Sequence, residues 1–303
     1  MGTTWSVKLV GSGAAVHLLQ PLVETALARV IAQMSLWDGG SDLNRFNRSP
    51  LGEWQALPAE FADVIRCALR IAEETAGAYD PTMGALVDHW GFGAQQPLSF
   101  PPSLGEIDCA RHAAGWRQLE FDPPGKRLRR LSDARLDLNG VAKGFAVDFV
   151  ASALKARGIE HALIEIGGEL SGTGTKPDGT PWWIAIDAPA SCRLPHTLPL
   201  IALHQLAIAT SGIERSRTVA DRTISHTIDP GTGSPIDNGM VTASVLHASC
   251  MEADAYATAL MVMGPEAGMA FATRHRLAAL CLFRSADGQL KEWISSAFEA
   301  MLS

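Results

Sequence analysis

Three segments group residue types that could bind and split a phosphate compound. Asp137-Leu-Asn-Gly140-Val-Ala-Lys143-Gly144 places a carboxylate, a glycine and a lysine at a helix start. Exposed N–H groups there can hold phosphate oxygens, and Lys143 adds a point charge. Gly140 permits close backbone approach, and its carbonyl could face a cation. The same run also reads as a capped helix with a surface lysine. Asp254 and Thr258 stand four apart in Ala253-Asp-Ala-Tyr-Ala-Thr-Ala259. On a helix they share a face, and both are hard oxygen donors that suit Mg²⁺. The plainer account is an aspartate near the positive end of a helix. Ser225-His226-Thr-Ile-Asp229-Pro230-Gly-Thr-Gly233 joins an imidazole to a tight turn. His226 could move a proton near neutral pH, or be structural or solvated. Asp229 could hold the turn or position the histidine.

Two aromatic positions could meet a ring. Ala78-Tyr79-Asp80-Pro81-Thr82, after Gly77, sets an aromatic face beside a carboxylate that could accept from a ring's N–H edge. A helix-terminating turn is the simpler reading. Trp37, ahead of Asp42, Asn44, Arg45 and Asn47, is the second, against ordinary core packing. Gly11-Ser-Gly13 looks like the start of a dinucleotide loop, but Val16 occupies the third glycine position and no βαβ unit follows, so it reads as a turn. The chain has no Walker A lysine loop and no H-E-x-x-H.

The elements that must carry these residues follow from periodicity. Helical spacing of Val23, Leu27, Val30, Ile31 and Met34 predicts a helix over 18–34. A second runs over 59–75 with Phe61, Val64, Ile65 and Leu69 inward, stopped by Gly77. Residues 94–106 read as a loop. Strands are expected at 127–131, 162–166, 182–186 and 206–210, with a turn at Lys176–Gly179. A helix over 142–156 ends at Gly158. Alternation over 241–246 predicts a strand. A helix over 252–263 and another opened by Pro265 follow, and a strand over 277–283 ends the core. Strands and helices mix without regular β-α alternation. The expected class is therefore α+β, with mixed or antiparallel sheets and packed helices. Residues 1–303 read as one domain or two intimately joined subdomains.

Bulk properties narrow the function classes. A net charge of −7 argues against nucleic acid or an anionic membrane as partner. A small anionic ligand would need a metal or backbone N–H groups. The five cysteines form no C-x-x-C pair, which argues against a zinc site or disulfide framework and for buried, inert thiols. No transmembrane run or signal peptide is visible. As the sequence stands it reads as cytoplasmic, or as periplasmic or membrane-anchored if an export signal has been removed.

In order, these segments resemble the ApbE family of FAD:protein FMN transferases. The matching pieces are Met1-Gly-Thr3, Ser41-Asp-Leu-Asn-Arg-Phe-Asn47, Gly77-Ala-Tyr-Asp-Pro-Thr82, Trp90-Gly-Phe-Gly93, Asp137-Leu-Asn-Gly-Val-Ala-Lys-Gly144, Ile166-Gly-Gly168, Ala209-Thr-Ser-Gly212, Ser225-His-Thr-Ile-Asp-Pro230 and Ala253-Asp-Ala-Tyr-Ala-Thr258. The resemblance implies FAD as donor substrate and Mg²⁺ on its pyrophosphate. It implies FAD contacts at Met1, Trp37, Ala78, Tyr79, Asp80, Asp137, Lys143 and Ile236. Metal ligands would be the Gly140 carbonyl, Asp254 and Thr258. His226 holds the position to which proton transfer is assigned, with Lys143 and Asp254 completing the catalytic set. The implied partner is a flavoprotein of a membrane electron-transport complex, modified on threonine or serine. Relatives are often exported and lipid-anchored, with Met-Gly-Thr well inside the chain. Glu169 stands where the family more often has aspartate, and Gly231 replaces a commonly larger residue.

The implied reaction is attack of the acceptor hydroxyl on the FMN-side phosphorus, with AMP leaving. Positioning and charge neutralisation would do most of the work. The alternatives are an FAD pyrophosphatase, with water as acceptor, and a non-catalytic FAD-binding protein.

Overall fold

The structure is a computed structural model of the 303-residue chain that describes all residues except 1, 2, 12, 95–99, 187, 190, 191, 193–196, 215, 220, 221 and 303. In chain order the first elements are β1 (Trp5–Leu9), α1 (Gly13–Met34), α2 (Asp42–Asn47), β2 (Gln55–Ala56), α3 (Ala59–Glu74), α4 (Gly84–His89) and α5 (Leu104–Ala113). Next come β3 (Leu119–Asp122), β4 (Arg127–Arg130), α6 (Ala142–Lys155), β5 (Ala162–Ile166), β6 (Glu169–Thr173), β7 (Trp182–Ala185), β8 (Leu200–Leu203) and β9 (Leu206–Gly212). The last are β10 (Ser216–Val219), β11 (Arg222–Ser225), β12 (Ile228–Asp229), β13 (Ser234–Pro235), β14 (Met240–His247), α7 (Cys250–His275), β15 (Ala278–Arg284), β16 (Leu290–Ile294) and α8 (Ser296–Glu299). Two compact units result, one built chiefly from Val30–Gly140 and Ile213–Asn238, the other from Gly2–Arg29, Val141–Gly212 and Gly239–Ser303.

The sheet unit, the second of these, is organised by a seven-stranded sheet of order β1-β5-β6-β9-β14-β15-β16. Every neighbouring pair in it is antiparallel. α6 packs on β5 and β6, α7 on β9 and β14, and the two helices pack on each other. Together with the helices of the other unit this is the α+β class expected from the sequence. The expected alternation over 241–246 is not a half-exposed pattern, because every residue from Met240 to Leu246 is buried. The hydroxyls on that strand are tolerated because they pair: Ser244 Oγ lies 2.8 Å from Thr210 Oγ1. The break at Pro265 is present, since Gly264 (φ 78°, ψ 176°) interrupts α7 just before it. The strand near 277–283 does not end the core; β16 pairs beyond it.

The helical unit holds α2 to α5, the three-stranded sheet β2-β4-β3, and the hairpins β10–β11 and β12–β13. α3 buries Phe61, Val64, Ile65, Ala68 and Ile71, so Ala68 and Ile71 carry the face expected of Leu69, which is only half-buried. Gly77 closes this helix at φ 87°, donating its N–H to Ala72 O at 2.8 Å, the bond of a glycine cap. The expected loop over 94–106 is shorter than read, because Ser103 opens α5. Its side chain accepts from Glu106 N while Glu106 reaches back to Ser103 N. At the other end of the chain's first helix, Gly13 is helical rather than part of a turn, so α1 starts five residues before Leu18.

Candidate functional site

In the sheet unit, Lys143, Asp254 and Thr258 are brought together by the packing of α6 on α7. Lys143 is the second residue of α6, and its Nζ lies 3.6 Å from Asp254 Oδ1. The other Asp254 oxygen, Oδ2, accepts the Gly144 N–H at 3.0 Å. This proximity needs Gly144, because a Cβ there would meet the Cys250 carbonyl oxygen at 2.2 Å. Asp254 is 2% exposed. Thr258, one turn further along α7, is half-buried, and its hydroxyl lies 3.2 Å from Ser211 Oγ at the end of β9.

The start of α7 is fixed from α6. Asp148 accepts from Ser249 Oγ (2.8 Å), Cys250 N (2.9 Å) and Met251 N (3.0 Å), satisfying donors that an isolated helix start leaves open. Burial raises the Asp148 carboxyl above its ordinary value, opposed by these bonds.

Glu169 completes the group. β5 and β6 form a hairpin whose loop is Gly167-Gly168, and Glu169 faces Ile166 directly after it. Both glycines have positive φ (64° and 100°), as the tightest hairpin turns require. Thr3, from the Met-Gly-Thr motif, fills the space beside Gly167, where a Cβ would come within 2.8 Å of its hydroxyl. Glu169 is 2% exposed, pairs through Oε1 with Lys143 Nζ, and leaves Oε2 buried without a hydrogen-bond partner. Burial pushes its carboxyl up to about 7; the Asp254 charge adds to this and Lys143 opposes it.

Among the described residues no three His, Cys, Asp or Glu side chains converge as a ready metal site. The expected cation set never required that, since it combines one carboxylate, one hydroxyl and one carbonyl. A buried carboxylate and a half-buried hydroxyl, with the unpartnered Glu169 Oε2 nearby, are hard oxygen donors of the kind that suit a cation which keeps waters and binds substrate phosphates. Gly140 lies in the turn leading into α6.

Most expected flavin contacts belong to the helical unit, which brings Ala78, Tyr79, Asp80 and Asp137 to adjoining turns. Asp80 Oδ1 accepts from Thr82 N (2.8 Å) and Thr82 Oγ1 (2.5 Å), while Oδ2 accepts from Trp116 N (2.9 Å). Burial raises the Asp80 carboxyl, and these bonds oppose it. Asp137 N donates to Pro81 O at 2.8 Å, which places Asp137 next to this turn. Asn47 clamps the preceding residue, donating to Leu136 O (3.0 Å) and accepting from Leu136 N (2.7 Å). Loss of solvent lifts the Asp137 carboxyl to about 6, against the pull of the Asn139 N–H.

Tyr79 does not offer an open aromatic face: it is 3% exposed, packed as core beside the cap of α3. Trp37 is the exposed ring, at 53%, on a loop held by Asn44, whose amide donates to Ser35 O, Leu36 O and Asp38 O. Ala78 is half-buried and donates its N–H to Thr75 O. Met1 lies outside the described residues.

His226 follows β11, half-buried and edge-on to Phe92, with ring centroids 6.3 Å apart. Ile236 N donates to Thr227 O at 2.9 Å, so the histidine and Ile236 share one loop structure. Asp229 shapes the turn by accepting from Gly231 N at 2.8 Å. Gly231 is exposed, and the nearest atoms to the position a Cβ would take are those of the Asp229 carboxylate, at 3.3 Å and beyond. Ile228 anchors the segment among Met83, Leu86, Ile107 and Ala110, and the Trp90 indole donates to Gly233 O at 2.8 Å. Cys67, Cys250 and Cys281 are buried as expected, but Cys109 is exposed and Cys192 half-buried.

Residue types and spacing assigned no role to Glu169, Ser211, Asp148 or Asn47. Glu169 had one local signal, the Gly-Gly turn before it. Ser211 and Asn47 lie in the family-like runs Ala209–Gly212 and Ser41–Asn47, where residue type alone points to no task. Asp148 had none, being one acidic residue in a helix.

The arrangement defines an α+β protein whose sheet unit brings Lys143 together with the buried carboxylates Glu169 and Asp254, and whose helical unit holds Asp80 and Asp137 on adjoining turns and His226 on a loop with Ile236. Residues 1–281 match the ApbE family. The FAD:protein FMN transferase of Vibrio cholerae is 39% identical over 307 residues, covering 100% of this chain and 91% of the relative. That of Salmonella typhimurium is 35% identical, covering 100% and 87%. Among solved structures, the flavinyl transferase ApbE of Pseudomonas stutzeri in its apo form superposes with a TM-score of 0.90 at 36% identity, covering 100% and 94%. The chain belongs to the ApbE family of flavin-transferring enzymes.

Proposed function

We propose that this chain transfers FMN from FAD to a threonine or serine hydroxyl of an acceptor flavoprotein, with Mg²⁺, releasing AMP. The acceptor oxygen forms the new bond to the FMN phosphorus, the bond from that phosphorus to the bridging oxygen breaks, and AMP carries the bridging oxygen away. The reading is carried by one observation: Lys143 and Asp254 share a buried site with Thr258 one turn on. Magnesium, when bound, would neutralise pyrophosphate charge; Asp254, Thr258 and the Gly140 carbonyl would hold it. Lys143 would add a positive charge for phosphate oxygens. Asp80 would accept from the flavin's N–H edge, Asp137 would contact the FAD beside it, and Trp37 and Ile236 would pack on the ligand. His226 would take the acceptor proton. The acceptor class is a flavoprotein of a membrane electron-transport complex, as the family resemblance implies. Among the described residues no helix of this chain is long and apolar enough to cross a membrane.

The test is intact mass of a co-expressed acceptor with wild-type, Asp254→Ala and His226→Ala enzyme. An FMN phosphoester adduct is expected with wild type, none with Asp254→Ala, and slow formation with unchanged FAD affinity for His226→Ala. Absence of any adduct across several acceptors, with rapid FMN and AMP release in their absence, would favour the pyrophosphatase instead.

A further inference from the structure

We infer that Ser211 is a positioning residue that accepts the Thr258 hydroxyl proton and so turns that oxygen's lone pairs to a divalent cation. It rests on the proposed cation set, in which Thr258 is a ligand. Ser211 Oγ lies 3.2 Å from Thr258 Oγ1, and either hydroxyl can be the donor. A bound cation removes that freedom. A hydroxyl that gives a lone pair to a metal keeps one proton, and the proton must point away from the positive charge. Coordination also makes the hydroxyl a stronger donor, so leaving it without an acceptor is costly. Ser211 Oγ supplies the acceptor. In the opposite sense, with Ser211 donating, one of the two Thr258 lone pairs is consumed.

The fold selects Ser211 for this task. α7 packs on β9 and β14, and Thr258 lies one turn beyond Asp254 on α7. Successive β9 side chains point to opposite faces of the sheet. The Thr210 hydroxyl accordingly turns from α7 and pairs with Ser244 Oγ at 2.8 Å, while Ser211 faces the helix. Register fixes the strand at this point, because Thr210, Ser211 and Gly212 pair with Ser244, Ala243 and Thr242 of β14. Ser211 is thus presented by sheet backbone rather than by a loop, which suits a group that must orient another. Thr258 needs such a partner, because a threonine in a helix splits between two χ1 states, one of which bonds the carbonyl of the preceding turn. A partner on β9 favours the state that faces the strand.

The experiment is calorimetric titration of Mg²⁺ alone into the full chain for wild type, Ser211→Ala, Ser211→Thr, Thr258→Ala and the Ser211→Ala/Thr258→Ala double variant. Circular dichroism and thermal melts check folding of each, and FAD binding in EDTA is followed by flavin fluorescence. Ser211→Ala is expected to weaken Mg²⁺ binding about tenfold, the scale of losing a partner that orients a ligand, with metal-free FAD affinity unchanged. Ser211→Thr keeps a hydroxyl on a side chain suited to a strand and should stay within about threefold of wild type. In the Thr258→Ala background, Ser211→Ala should alter affinity less than about threefold, because the hydroxyl it orients is gone. Wild-type Mg²⁺ affinity in Ser211→Ala overturns the inference. So does an equal loss with and without Thr258, or a matching loss of metal-free FAD affinity, since either makes Ser211 act on the metal or the substrate by itself. Wild-type Mg²⁺ affinity in Thr258→Ala is a different failure: it removes Thr258 from the proposed cation set and takes the inference with it.

Discussion

Gly144→Ala tests whether the approach of α6 to α7 creates the site. The added methyl would sit 2.2 Å from the Cys250 carbonyl oxygen, 2.6 Å from its carbon and 2.8 Å from Met251 Cα. All are backbone atoms in a turn that Asp148 fixes through the N–H groups of both residues, so no side chain can swing aside. Carbon contacts settle at about 3.5–4.0 Å, so the helices must part by roughly 1 Å. Overpacking of this kind costs about 1–3 kcal/mol. The same movement stretches the Gly144 N–H bond to Asp254, and losing a hydrogen bond to a charged group costs about 1.5–3 kcal/mol more. The expected loss is about 3–5 kcal/mol in urea unfolding, with weakened Mg²⁺ binding by calorimetry, since Asp254 loses its anchor. Gly105→Ala is the control, because nothing lies within 4 Å of a Cβ there and the helix should gain or break even. A wild-type denaturation midpoint for Gly144→Ala would refute the close-packing argument.

Asp148→Ala removes the acceptor of three donors at the start of α7 and should cost about 2 kcal/mol or more in urea unfolding. Asp137→Asn should change the pH dependence of stability. The folded carboxyl, raised to about 6, binds its proton more tightly than the unfolded one, so its contribution is complete below the unfolded value and is lost as pH rises through 6. Wild type should therefore lose about 1–2 kcal/mol relative to the variant between acid and neutral pH, after allowance for partial exposure, as read by unfolding at several pH values. Trp90→Phe removes the indole bond to Gly233 O and should slow FMN transfer several-fold while sparing FAD affinity, because it loosens the turn after His226; equal effects on both would speak against that role.

The parts of the fold legible in the sequence are those set by local rules. The strand Ala162–Ile166 and the start of α6 at Ala142 fall where periodicity and glycine placed them. α5 was hidden because its capping box, Ser103 with Glu106, lies inside a stretch rich in proline, glutamine and serine. β1 does carry a signal, the alternation of Trp5, Val7 and Leu9 with Ser6 and Lys8, whereas in β16 the adjacent Lys291 and Glu292 break the period. For the site, Asp254 with Thr258 was readable because a helix fixes which residues share a face. Of the two readings of Ala78–Thr82, the structure bears out the helix-terminating turn and buries the Tyr79 ring to 3% exposure, which residue type alone does not reveal. The Tyr79 backbone N–H donates to Thr75 Oγ1 at 3.2 Å, in the turn that closes α3.

The remaining opacity has one cause, the way the chain crosses between its two units. The segment Ile213–Asn238 leaves the sheet after β9 and returns at β14, and Gly212 pairs with Thr242. The excursion closes on itself like an enlarged hairpin loop, so the sheet gives no sign of it in local pattern. His226 rides on that excursion, 15 residues after Ser211, whose hydroxyl neighbours Thr258. Sequence distance thus carries no information about which unit a functional residue joins. Charge behaves likewise. A chain of net −7 still buries Asp254 and Glu169 around one lysine. Two carboxylates kept out of water beside one ammonium are costly to the fold when both are ionised, and burial together with the Asp254 charge accordingly pushes the Glu169 carboxyl up to about 7.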